Sequence, residues 1–186
     1  MDRALLDRFE DILQEGLHKI CNSSSLLPLG TIPSSEDIER KWNEEYARAY
    51  TADAVENFNE YPDAALAWAA YLGMAVAHNW DLDWQSHCND SYESYYGPNG
   101  YDDMDEHIAG DVLTLDEDTL SRVRETLLSC AYATRTLIRH EGIELQTATG
   151  FYVLVRAYTV MFRLGAAIEL VRLGYKMVGL KPSVVS

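Results

Sequence analysis

Apolar residues recur at helical spacing along most of the chain, and polar residues fill the faces between them. Leu5, Phe9, Ile12, Leu13 and Ile20 make a stripe opposite Asp2, Asp7, Glu10 and Asp11, which predicts an amphipathic helix over residues 2–20. The stretch CNSSSLLPLGTIPSS that follows is punctuated by Ser, Pro and Gly. It ends in Ser34 and Ser35, whose short side chains suit a helix N-cap. A second helix is therefore expected from Glu36 to Phe58, with Ile38, Trp42, Tyr46 and Ala49 inward. Pro62 fits the first turn of a third helix, where its missing N–H costs nothing. From Leu66 to Trp80 this helix is apolar nearly all round, which assigns it to the middle of the fold.

After Trp84 both periodicities stop. QSHCNDSYESYYGPNGYDD reads as a long loop, roughly residues 86–100, around a GPNG turn. A short helix with Met104, Ile108 and Leu115 on one side follows, and Thr114 with Glu117 has capping-box spacing for the next. Leu120, Val123, Leu127, Ala131, Thr134 and Ile138 trace that helix to about His140, with Gly142 as its stop. The last segment, Phe151 to Val178, is apolar but carries Arg156, Arg163, Glu169, Arg172 and Lys176, too many charges for a membrane span. It reads as a central helix with possible breaks at Gly150 and Gly165. The expected architecture is all-α: one domain, residues 1–186, an irregular bundle of five or six helices with one long acidic, Tyr-rich loop.

Charge changes the picture. The net charge is −15, which opposes binding to phosphate backbones and argues against nucleic acid as a partner. From Ala49 to Ser121 there is no Lys or Arg, yet sixteen carboxylates lie between Asp53 and Asp118. Residues 122–186 carry a net +5. Either the acidic segment lies over the basic C-terminal part, or its carboxylates await a cation from outside, metal or protein. Cys21, Cys88 and Cys130 have no C-x-x-C pairing and read as reduced thiols. The N-terminus, MDRALLDRFEDIL, lacks the basic start and apolar run of a signal peptide, so the expected location is the cytoplasm.

Several groupings carry chemistry. His78, Asp81, Asp83 and His87, with Cys88 beside them, offer a ligand mixture for a first-row metal, and Asp105 and Glu106 extend the carboxylate set. Asp102-Asp103-x-x-Glu106 resembles the aspartate-rich motif with which all-α prenyl and terpene synthases hold magnesium diphosphate. The resemblance covers five residues, and the second magnesium motif of that family is absent from residues 122–186, which hold only four acids. Glu36-x-x-Glu39 with Glu60-x-x-Asp63 resembles the magnesium-binding pattern of MazG-type nucleotide pyrophosphatases, departing from it at Pro62. That resemblance implies hydrolysis of nucleoside triphosphates. Glu15-x-x-His18 is the single instance of a pattern that ferritin-like di-iron sites need twice.

Tyr92, Tyr95, Tyr96 and Tyr101, interleaved with carboxylates such as Asp102 and Asp103, suit a basic protein surface. Arg156 and Arg163, seven apart on one face of an apolar helix, must be paired or line a polar cavity, as a buried ion pair or an anion site. Arg172, nine further on, points nearly the opposite way. The acids of residues 81–106 are the expected partners of the first two. The leading expectation is a non-enzymatic helical module that binds a protein partner, or a second copy of itself, through the acidic Tyr-rich loop. The alternative is a metal-dependent hydrolase of a phosphorylated small molecule, with a divalent ion as cofactor.

Overall fold

The computed structural model describes residues 2–58 and 62–176, and every regular element among them is helical. Helix α1 spans Arg3–Ser23 and is capped by Asp2, whose carboxylate accepts the Leu5 N–H. Its buried stripe is Leu6, Phe9, Leu13, Leu17 and Cys21, a steady three-and-four spacing. Ile12, expected inward, is 44% exposed because it falls outside that stripe.

The second helix is one rod in three parts: α2 (Glu36–Arg40), a π-helical segment Lys41–Tyr46, and α3 (Ala47–Asn57). Ser35 caps it through the Ile38 N–H, as its sequence position predicts. Ile38, Trp42, Tyr46, Tyr50 and Ala54 are all buried at a constant spacing of four. In a regular α-helix each step of four drifts by about 40°, so such a stripe would wind off the core face. The wider π turn takes up part of the drift. It also turns Ala49 to solvent and brings Ala47, Tyr50 and Thr51 inward in its place.

Helix α4 (Pro62–His87) is buried at every position from Ala65 to Ala77, the central helix that its apolar run predicts. Its regular path ends at Asp83, whose φ of −164° and ψ of 85° are not helical. The following loop holds 3₁₀ turns at Tyr92–Tyr95 and Tyr101–Asp103, around an antiparallel bridge between Gly97 and Gly100. Helix α5 (Met104–His107) runs on into a second π-helical segment, Ile108–Val112. Helix α6 (Glu117–His140) buries the expected Val123, Leu127, Ala131, Thr134 and Ile138. Its cap is Asp116, which accepts the Thr119 N–H; Thr114, expected in that role, instead has φ +48°.

Helix α7 (Ala148–Arg172) starts three residues earlier than predicted, capped by Thr147, and stops six residues earlier, before Gly174 at φ +97°. Val178 lies outside the described residues. By length and composition α7 is apolar enough to cross a bilayer, and 72% of its most apolar stretch is buried among the other helices.

Helices α4 and α7 run in the same direction at the centre, as Ala70 against Gly165, Gly73 against Ala166 and His78 against Glu169 establish. Gly165 is not a break but a crossing point. A Cβ there would sit 2.6 Å from the Ala70 carbonyl carbon, and one on Gly73 would sit 2.8 Å from the Ala166 nitrogen. Around this pair the buried apolar side chains of all the helices form one cluster.

Candidate functional site

The residues expected to bind metal lie apart, and His78, Asp81, Asp83 and His87 each have a partner of their own. His78 Nδ1 lies 3.0 Å from Glu169, a fully buried carboxylate that Arg172 also grips at 2.7 and 2.8 Å. Asp81 accepts the Tyr175 hydroxyl, and Asp83 caps the Ser86 N–H and hydroxyl after the helix breaks. Those two bonds hold the Asp83 carboxyl below its usual range. His87 pairs with Asp90 at 2.8 Å. Asp105 lies in a shallow cleft beside Tyr71 and Arg124, and Glu106 faces solvent. Among the described residues no three His, Cys, Asp or Glu converge to hold a metal ion. His78 and Asp81 fall on one face of α4, Asp83 and His87 fall on roughly the opposite side, and Asp105 and Glu106 belong to α5.

The pyrophosphatase-like pattern is dispersed in the same way. Glu36 pairs with Arg40, Glu39 with Arg163, and Asp63 with Arg135, while Glu60 lies outside the described residues.

The tyrosines of the loop point inward. Tyr92 and Tyr95 are 3% and 5% exposed and offer no contact area to a partner, whereas Tyr96 and Tyr101 are half-buried. Tyr92 meets Tyr46, Tyr50 and Tyr96 edge-on, and Tyr101 packs at a tilt against Phe58 and Trp68. Tyr95 accepts a hydrogen bond from the Asn79 amide. The π-helical segment anchors the loop backbone: Lys41 donates to the Cys88 carbonyl and Tyr46 to that of Asp90. Asp102 is exposed, and the Asp103 carboxylate accepts the Asn99 N–H to close the turn. These aromatic rings wall the core, and the carboxylates between them stay outside.

Arg156 and Arg163 do share a face, but it meets α1 and α2 and not residues 81–106. Glu10 bridges both guanidiniums, with Arg163 at 2.7 Å. Asp7 flanks Arg156 at 3.1 Å, and Glu39 accepts from Arg163 Nε at 3.0 Å. The Glu10 bond, ahead of the other carboxylate contacts, raises the Arg156 pKa above its ordinary value. Both arginines remain about one-third exposed, because they open into a cleft of about 410 Å³ between α1, the π-helical segment and α7.

Glu10, Asn43, Arg48, Tyr152, Val155 and Thr159 line the rest of that cleft. A guanidinium carries five donors; Arg156 commits NH1 and NH2 to carboxylates and Arg163 commits Nε and NH1, which leaves others free. Arg48 is exposed and makes no ion pair among the described residues. Thr159 is held in place by the Trp42 indole N–H at 2.9 Å. Sequence reasoning identified Arg156 and Arg163 and missed Glu10, Asn43, Arg48, Tyr152, Val155 and Thr159. One signal was available for Glu10: it lies one residue from Phe9 and so borders the buried stripe of α1. None marked Arg48, which is one charge on an ordinary polar face. No known protein family, curated protein or solved structure matches this chain.

Proposed function

We propose that the protein is a binding module whose site is the arginine-lined cleft, and that its ligand is a small molecule bearing an oxyanion, a phosphate monoester or a carboxylate. One observation carries this reading. A chain with a net charge of −15 gathers three arginines around one cleft of about 410 Å³ and leaves part of their donor capacity uncommitted. That volume lies within the range of small-molecule sites, about 300–1,000 Å³. Guanidinium forks match oxyanions in shape as well as charge. The adjoining π turn, with Asn43 in it, is a distortion that recurs at functional sites. Glu10 holds the two inner arginines in place and accepts hydroxyls from the rest of the ligand.

The test is calorimetric titration with inorganic phosphate, a sugar phosphate and a small dicarboxylate. Arg48→Ala leaves the Glu10 pairs intact and should weaken binding about 10-fold or more, the loss of one charge-assisted hydrogen bond. No heat from any of the three at millimolar concentration, or equal affinity in Arg48→Ala, would sink the proposal.

The acidic segment supports a second reading, docking of a basic protein partner. Among the described residues, Asp63 alone of its carboxylates forms an ion pair with a Lys or Arg. The Asp53 carboxyl is pushed up by burial, and by Glu93 and Glu56 nearby. A lysine-rich peptide should bind this face at low salt and lose affinity in Glu56→Gln/Glu93→Gln; an unchanged affinity would remove the reading.

A further inference from the structure

The last turn of α1 and the middle of α6 bring two thiols together. Cys21 Sγ and Cys130 Sγ are 3.9 Å apart, both fully buried and 109 positions apart in sequence. We propose that Cys21 and Cys130 are a disulfide-forming pair that clamps α1 onto α6 under peroxide. This is independent of the ligand assigned to the cleft.

Three features carry it. The sulfurs need to approach by about 2 Å to reach bonding distance, a movement that side-chain rotation and a small helix shift supply. Cys21 lies two residues before the end of α1, where helices fray, so the pair opens more easily than its burial suggests. An open cleft lined by Ser24, Thr126 and Ser129 reaches within one helical turn of both cysteines: Ser24 is three residues from Cys21, and Thr126 is four from Cys130. Cys21, two residues from the end of α1 and three from the cleft-lining Ser24, is the attacking group.

The chemistry balances with hydrogen peroxide as oxidant. The Cys21 thiolate attacks one peroxide oxygen, the O–O bond breaks, and hydroxide leaves to be protonated to water. The Cys130 sulfur then attacks the Cys21 sulfenic sulfur. The S–S bond forms, the S–O bond breaks, and the Cys130 proton leaves with the hydroxyl as a second water. Two thiols are oxidised by two electrons and one peroxide is reduced to two waters.

The experiment uses the full chain with Cys88→Ser, which removes the half-buried third thiol and leaves the pair untouched. Treatment with peroxide should remove two hydrogens from the intact mass and abolish both titratable thiols. Peptide mapping should then show Cys21 joined to Cys130, reversibly by dithiothreitol. The cross-linked form should melt roughly 5–10 °C higher, because the unfolded chain is tied across more than a hundred residues. Added oxygen on either cysteine without a cross-link would overturn the proposal. So would thiols that stay unreacted at peroxide levels that oxidise Cys88 in the unsubstituted chain. A cross-linked form that melts lower would show that the fold cannot hold the bond.

Discussion

Substituting Gly165 by Ala tests whether the centre of the fold depends on backbone contact between α4 and α7. The new Cβ would meet the Ala70 carbonyl carbon at 2.6 Å and its Cα at 2.8 Å, where carbon atoms prefer about 3.5–4.0 Å. Those atoms are backbone within a helix and cannot rotate away. The two helices must therefore separate by about 1 Å, a gap that forfeits a quarter to a half of the dispersion energy of the contacts across it. Overpacking typically costs about 1–3 kcal/mol, and a backbone-on-backbone clash lies at the upper end, about 3 kcal/mol, set against about 1 kcal/mol gained because Ala favours helix over Gly.

The net loss of about 2 kcal/mol corresponds to a fall of roughly 4–8 °C in Tm for a chain of this size. Gly16→Ala is the control, since Gly16 is exposed within α1 and nothing lies within 4 Å of its added Cβ. It should raise stability by about 0.5–1 kcal/mol. Thermal melts followed by circular dichroism read both. A Gly165→Ala protein that melts at or above the unsubstituted chain, as Gly16→Ala should, would refute the close crossing. Gly73→Ala combined with Gly165→Ala should cost less than the sum of the two, because one separation relieves both contacts.

Two further outcomes follow from local geometry. Among the described residues the buried Tyr92 hydroxyl has no hydrogen-bond partner, so Tyr92→Phe should leave stability unchanged or raise it by up to about 1 kcal/mol; a clear loss in chemical denaturation would contradict that. The Thr119 N–H and hydroxyl hold the Asp116 carboxyl below its usual range, so Asp116→Ala should lower Tm at neutral pH and Asp116→Ser should recover most of the loss. Because the folded-state pKa is depressed, the Asp116 contribution is complete above the ordinary carboxylate range and is lost as pH falls through the lowered value. Melts at descending pH should bring Asp116→Ala and the parent chain together, and a gap that widens in acid would refute the assignment.

The amino-acid pattern alone determined the helical class, the central position of α4, the Ser35 cap, the inward face of α6 and the shared face of Arg156 and Arg163. Each of these depends on residues close together along one helix, on a shared face or, for Ser35, at its start, and sequence position encodes that directly. Tertiary structure decided the rest. The stripe from Ile38 to Ala54 repeats every four residues, between the periods of α and π helices, so its spacing does not say where the wider turn falls; in the fold it lies at Lys41–Tyr46, where Trp42 stacks on Phe162. Gly165 reads as a break in one helix and becomes a contact surface once a second helix lies on it.

The loop tyrosines look like a binding surface until Tyr46, Phe58 and Trp68 are seen to receive them. The arginine cleft depends on Glu10 and Glu39, 153 and 124 positions from Arg163, where the chain offers dozens of carboxylates of equal chemistry. Spacing along a chain fixes faces, but which faces meet is decided by the packing of all of them at once.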